Sequence, residues 1–510
     1  MQKINTIVII GAGVAGLSAG IYAEQHGFDV ILLEKNPSVG GMCTGWYRNG
    51  YYIDGCIHWL TGTKEGTLLN EMWHNIGAID SQDNILYLPS WGTYEYQGQK
   101  VTMWTDLDRA EREWKELSPV DSKMIHKFFK MVRDFNKVEL PLDLPLSLMP
   151  LGRKLKLGFK VLSVWKSYIL SMGMTCEKFA AKFKSPAIRF ALTKCQVGDG
   201  NLFSMIYSYA TIVKGDGGIP VGGSKPMVER MRRKFIALGG QLKLNANVES
   251  IIIKNDTAQG VRLTDGTVIE GDAVISCLDM NYTLKKLLRD QYPVHSFEKR
   301  FKNPKRNPSP SCVYLSFSVK KDDNLPIPLT FETEPFECGG VNINHLTIRS
   351  YAYDETFTRK DRTLMTVLLD QTSYDYPFWK ALIKEKEKYR KYKDDLAKVV
   401  MDRIVTRLPY LKGDIELLDV ATPCTFKNYV NTSNGAFMSF YFTPKSGMYA
   451  HNGHVKGLKN FYIASQWQQG PGGLPIAMSQ GKFAIQRICK KEKKSFVFSP
   501  TLKKKKGAQC

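Results

Sequence analysis

Residues 4–34 constrain this chain more than any other stretch. A β-branched run, Ile7-Val8-Ile9-Ile10, is followed by three glycines at GxGxxG spacing, Gly11, Gly13 and Gly16. A proline-free helical pattern comes next, then Gly27, then a second apolar run from Val30 to Leu33 closed by Glu34. Strand, glycine turn, helix and strand in this order predict a βαβ unit of dinucleotide-binding type. Gly11 permits the tight turn, Gly13 lets the backbone approach a pyrophosphate, and Gly16 lets helix and strand pack closely. The helix N-terminus presents free N–H groups and the positive end of its dipole to the phosphates. Glu34 follows about 20 residues on, where a carboxylate accepts hydrogen bonds from ribose hydroxyls. By itself the unit leaves open which dinucleotide is held.

A chain of 510 residues has room for a large core and more than one domain. Its net charge of +22 favours anionic surfaces, such as nucleic acid, acidic lipid or an anionic substrate. No nucleic-acid recognition motif accompanies that charge, so nucleic acid is not an expected partner. The ten cysteines form no CxxC pair, which argues against structural zinc and thioredoxin-like chemistry. His451 and His454 have HxxH spacing but no nearby third ligand, and no metal site is expected. No uncharged apolar run is long enough to span a bilayer. The N-terminus leads straight into a core strand, and free thiols suit a reducing compartment, so the expected location is cytoplasmic.

Further along, residues 105–195 read as mostly helical, and between 121 and 195 fifteen Lys or Arg face five Asp or Glu. Leu155, Phe159, Leu162 and Ile169 share one helical face beside Lys156 and Lys160, the pattern of a helix lying on a membrane surface or of a half-buried surface helix. Residues 214–225 read as a Gly-rich loop without P-loop spacing, followed by a helix from Lys225 to Leu238. Strand patterns follow at 241–244, 248–253, 259–263 and 268–269, with Asp265-Gly266 marking a hairpin, and Ala273 to Ser276 reads as a buried strand. A charged helix over 380–408 reads as solvated. Phe461 to Ser465 is a buried strand running into a glycine loop and a helix from Ile476 to Ile488, again a layout that faces a cofactor or anion. The basic tail, 491–510, reads as disordered and suited to acidic lipid.

Taken together, these segments resemble the FAD-dependent phytoene desaturase, carotenoid isomerase and retinol saturase group, which is related to the flavin amine oxidases. The resemblance rests on GAGVAGLSAG with Glu34, the pair Gly40-Gly41, and YYIDGCIHWLTG with Asp54, Gly55, His58 and Trp59. It also rests on GGIPVGGSKPMVERM with ALGGQLKLNANVESI, on ATPCTFKNYV, and on NFYIASQWQQGPGGLPIAMSQGKFAIQRI. Two positions depart from the wider pattern: Met42 stands where amine oxidases carry Arg, and Ala464-Ser465-Gln466 stands where Ala-Gly-Asp is usual.

The resemblance implies an α/β fold: a discontinuous Rossmann-type FAD-binding domain over 1–95, 214–300 and 420–490. A mixed α+β substrate domain is inserted over 96–213 and 301–419. It implies FAD as cofactor, held at Gly11, Ala12, Gly13, Val14, Ala15 and Gly16, at Glu34 and Lys35, at Gly40, Gly41 and Met42, and at the backbone of Val248. The C-terminal contacts would be Ser465, Gln466, Gly473, Leu474, Pro475 and Ile476, with Gln466 bonding the ribityl chain. It implies an enzyme that forms, saturates or isomerises C–C double bonds of a long apolar isoprenoid or other lipid. Aromatics and leucines of 105–195, with Tyr351, Tyr353 and Phe437, are candidates to line its tunnel. His58 is the candidate acid or base, with a pKa near working pH, and Asp54 reads as a turn former or hydrogen-bond acceptor. Peripheral contact with an anionic membrane is expected through 153–170 and the tail. With one GxGxxG and no second Rossmann unit, no NAD(P) site is indicated, and the electron partner stays open. A flavin amine oxidase and a non-catalytic, membrane-associated FAD scaffold are the alternatives.

Overall fold

The computed structural model describes residues 3–80, 85–139, 141–195 and 200–497. Five parallel strands form the first sheet, in the order Gln241–Lys243, Asp29–Leu33, Thr6–Ile10, Ala273–Ser276 and Phe461–Ile463. The central strands are covered on both faces, which is why they read as unbroken apolar runs. Helix Val14–Gln25 and helix Leu474–Lys491 pack together along small residues. A Cβ at Gly481 would lie 2.3 Å from the Ala15 carbonyl oxygen, and Ser18 Oγ donates to the Met478 carbonyl at 2.8 Å. Three antiparallel strands, Val248–Lys254, Thr257–Leu263 and Val268–Glu270, flank this sheet. Besides the hairpin at Asp265-Gly266, a second turns at Asn255-Asp256, both residues at positive φ, a turn the pattern reading passed over.

The second sheet runs in the order Ile415–Ala421, Pro310–Lys320, Arg362–Thr372, Val341–Ser350, Leu329–Cys338, Ser90–Tyr96 and Gln99–Trp104. Only the pairing of Leu329–Cys338 with Ser90–Tyr96 is parallel. Period-two alternation gives the sheet two unlike faces. Val313, Leu315, Phe317, Ile348 and Val367 bury one face in a core that includes Leu396, Val400 and Ile404 of helix Lys386–Arg407. The other face looks into the cavity described below.

Several expectations need correction. Strand Ser90–Tyr96 belongs to the second sheet, so the first FAD-domain piece does not extend to residue 95. The stretch 214–225 is not all loop, since Gly217–Pro220 pairs with Leu60–Thr61 and Ile85–Leu86. The charged helix over 380–408 is two, Tyr376–Leu382 and Lys386–Arg407, and the second buries a stripe. The described part of the tail, up to residue 497, packs on the protein rather than being disordered. Phe496 stacks on His26 with ring centroids 4.2 Å apart, and the Val497 N–H donates to His26 Nε2. Residues 498–510, with the lysine run and Cys510, lie outside the described residues.

The helical block contains Leu107–Leu117, Ser122–Phe135, Leu151–Ser163, Trp165–Met172 and Leu202–Val213. Most of its aromatics are core: Trp114, Phe128, Phe129 and Phe179 are fully buried against one another. Leu151, Leu155, Phe159, Leu162, Trp165 and Ile169 are instead 48–73% exposed along one side of the two helices. Among the described residues, no helix is long and apolar enough to cross a membrane.

Candidate active site

A cavity of about 650 Å³ extends from the carboxyl ends of the parallel strands to the inner face of the second sheet. Such crevices are where ligands bind in open parallel sheets. Two long helices begin on it. Helix Val14–Gln25 starts at Gly13 and helix Leu474–Lys491 at Gly473, and neither has a capping side chain. Their first-turn N–H groups therefore lack partners within the helices, and both dipoles place positive ends at the cavity.

The fingerprint glycines divide by what demands them. A Cβ at Gly16 would fall 1.9 Å from the Gly11 carbonyl oxygen, so helix–strand packing itself excludes any larger residue. A Cβ at Gly13 would meet nothing in the protein closer than 3.6 Å. Gly13 lines the cavity, so the glycine there leaves room for an occupant rather than for the fold. Glu34, 6% exposed, accepts from the Ala12 N–H at 2.9 Å and the Asn36 N–H at 3.0 Å. Each carboxylate oxygen keeps a further acceptor site for a cavity ligand.

Val14, Ala15, Lys35, Gly40, Gly41, Met42, Val248, Ser465, Gln466, Leu474, Pro475 and Ile476 line the same cavity, as do Gly11, Glu34 and Gly473. Ala12 and Gly16 do not: Ala12 bonds Glu34 and, through its carbonyl, the Gly40 N–H, while Gly16 packs on Gly11. Lys35 Nζ donates to the Asn428 carbonyl at 2.8 Å, and burial lowers its pKa. Gln466 braces its own loop, its amide donating to the Phe437 carbonyl at 3.2 Å and accepting from the Gly473 N–H at 2.9 Å. These bonds engage both ends of the side chain expected to reach a ribityl chain.

Asp54 is a buckle. Its carboxylate accepts from the Cys56 N–H (2.8 Å), the Ile57 N–H (3.2 Å), and the N–H and Oγ of Ser224 (both 2.6 Å). Burial raises its pKa against these donors, which lower it. The aromatic-rich turn is thereby fastened to the start of helix Ser224–Ala237. His58, on that turn, lines the cavity. Burial, helped by the charge of Arg349, holds its imidazole at about 3, so the expectation of a pKa near working pH fails. Near neutrality the ring is uncharged, with one donor and one acceptor nitrogen.

Tyr351 and Tyr353 do not reach the cavity; they pack behind it in a cluster with Phe357, whereas Phe437 does line it. Sequence reading missed Cys277, Leu278 and Asp279, which line it directly after strand Ala273–Ser276. The signal was available, because that strand is parallel to Thr6–Ile10 and ligands gather beyond carboxyl ends. It also missed the inner face of the second sheet, including Arg349, Thr347 and Thr366.

An open parallel sheet with two uncapped helix N-termini on one crevice, beside an inserted antiparallel sheet, is the layout of a dinucleotide-binding protein. The chain belongs to the flavin containing amine oxidoreductase family, whose model matches residues 14–489. It is an FAD-dependent oxidoreductase. It is 24% identical to a chloroplastic prolycopene isomerase of Daucus carota, over 94% of this chain and 79% of that one. It is also 24% identical to a lycopene-forming phytoene desaturase of a Paracoccus species, over 94% and 97%. Among solved structures it shares its fold with an oxidoreductase from Methanosarcina mazei (TM-score 0.60, 14% identity, 94% and 100% covered). A cyclohexylamine oxidase from Brevibacterium oxydans is similar too (TM-score 0.55, 14% identity, 97% and 100% covered).

Proposed function

We propose that this protein forms, saturates or isomerises C–C double bonds of a long apolar substrate of isoprenoid type. One observation carries the reading: a single cavity joins the dinucleotide-type wall to an end lined by Trp59, Phe203, Tyr207, Phe437, Phe442 and Met448. An apolar chain placed there lies within the same enclosure as the cofactor, and the relatives named for carotenoid desaturation and isomerisation support that assignment. The uncapped N-terminus at Gly13 would receive the pyrophosphate and Glu34 the adenosine ribose, with the loop and helix start at Gly473 toward the flavin end. Val14, Ala15, Lys35, Gly40, Gly41, Met42, Val248, Ser465, Leu474, Pro475 and Ile476 complete the enclosure. Bound FAD supplies hydride exchange with carbon. The chain's own part is to orient the substrate and exclude water. His58, neutral and facing the cavity, offers a hydrogen bond to substrate or cofactor.

Access for such a substrate is by way of the exposed apolar stripe. Tyr168, between Trp165 and Ile169, donates to Met448 Sδ at 3.2 Å and sits 5.8 Å from the Phe203 ring, and both partners line the cavity. Apolar residues on one side and exposed Lys154, Lys156 and Lys166 around them suit a helix pair seated on an anionic bilayer.

The reading is tested by anaerobic incubation of the FAD-loaded protein, oxidised and reduced in separate arms, with a panel of polyene and isoprenoid lipids. Products shifted by two hydrogens, or isomers of unchanged mass, are expected. Unchanged substrate in every arm overturns it.

A further inference from the structure

The inner face of the second sheet is not a wall built for a pure hydrocarbon. Alternation places Thr330, His345, Thr347, Arg349, Thr366 and Asp370 on the cavity, while their neighbours in sequence bury the opposite face. Arg349 is the informative member. It is 7% exposed, its Nη1 is buried without a hydrogen-bond partner, and among the described residues no carboxylate lies within ion-pair distance of it. A guanidinium stays charged at any working pH, and a buried charge without a counterion is strongly disfavoured. The other wall charges balance. Lys194 also lines the cavity, under the opposing charge of Asp370, and burial keeps His58 and His345 neutral near pH 7. The wall is thus left with one uncompensated positive charge at Arg349.

We infer that the substrate is a long apolar chain bearing a single carboxylate, and that Arg349 of the sheet's inner face binds that carboxylate inside the cavity. The inference rests on the proposed reaction for the site and narrows its substrate class. A planar guanidinium suits a carboxylate through paired N–H donors, and the threonines beside it satisfy remaining oxygen lone pairs. Neither a hydrocarbon nor an alcohol of the same skeleton supplies the missing charge.

The test is equilibrium dialysis of the full-length, FAD-loaded protein at low salt against three C20 polyenes of one skeleton: retinoic acid, retinol and the corresponding hydrocarbon. Retinoic acid is expected to bind tighter than retinol by about tenfold or more. Arg349→Gln should abolish that preference while leaving retinol affinity within about twofold, and Arg349→Lys should retain part of it. Equal binding of the acid and the alcohol by the wild type overturns the inference. So does a preference that survives Arg349→Gln, or a loss in Arg349→Gln that is the same for all three ligands. FAD content is measured in the same samples. Protein that holds FAD but lacks the preference sinks this inference alone, whereas protein that takes up no FAD sinks the reading beneath it.

Discussion

The two ends of the cavity are built by opposite means. At the proposed nucleotide end, backbone N–H groups and glycines predominate, and the lining includes short contiguous stretches around Gly11–Ala15 and Gly473–Ile476. At the proposed substrate end, side chains from several strands of one sheet do it, each contributing one to three residues. A backbone site is specified by local chain geometry and tolerates little change. A side-chain site is specified by which strands lie together, and can be re-lined without disturbing the fold.

That contrast is sharpest at two glycines three residues apart. Gly16→Ala drives a Cβ into the Gly11 carbonyl, and the expected result is loss of folded protein, seen as aggregation or the absence of a cooperative melt. Gly13→Ala is expected to fold with a near-normal melting temperature yet to lose FAD affinity by about a hundredfold, read by flavin content and titration. Equal damage to folding by both substitutions would break the distinction.

Smaller effects lie at the other end. Replacing Leu155 and Phe159 by Ser removes two exposed apolar side chains and should weaken binding to anionic vesicles by about tenfold or more. Catalysis on detergent-dispersed substrate should be spared. Vesicle flotation checks the first and turnover the second; unchanged flotation would detach the helix pair from any lipid role.

The smallest effect is on acid stability. His58, His345 and His451 are held at about 3, about 3 and about 4, by burial first and then by Arg349, Lys194 and Arg487 respectively. Their folded-state pKa lies below the unfolded value of about 6.5, so the unfolded chain binds protons first as pH falls. The stability they contribute is complete above that value and is lost progressively below it, at up to ~1.4 kcal/mol per pH unit for each ring. Urea melts between pH 7 and pH 5 should fall with acid, and His58→Gln should flatten the slope. A slope unchanged by the substitution would mean that His58 titrates normally.

How much of this was legible in the sequence follows the same division. The βαβ unit, its glycines and Glu34 were readable because strand, turn and helix are neighbours in the chain. The glycine loop before Leu474 was readable for the same reason. Arg349 carried no local signal: an arginine in a strand of alternating pattern is ordinarily a solvated residue. It becomes a cavity residue only because Val341–Ser350 pairs with Arg362–Thr372 and Leu329–Cys338. His58 was found by its motif, but its neutrality depends on burial and on a cation some 290 positions away in the chain. The tail misled because lysine-rich composition hides Phe496, whose ring finds His26 only in the folded protein.

The central claim is that the flavin enzyme acts on carbon–carbon bonds of an apolar chain and not on amines. Its most direct test is the half-reaction: anaerobic mixing of FAD-loaded protein with polyenes and, separately, with primary and secondary amines, followed by flavin absorbance. The account predicts bleaching of the oxidised flavin by a polyene or its saturated counterpart, or re-oxidation of the reduced flavin by one, and no response to amines. Flavin reduced by amines and indifferent to every polyene would contradict it.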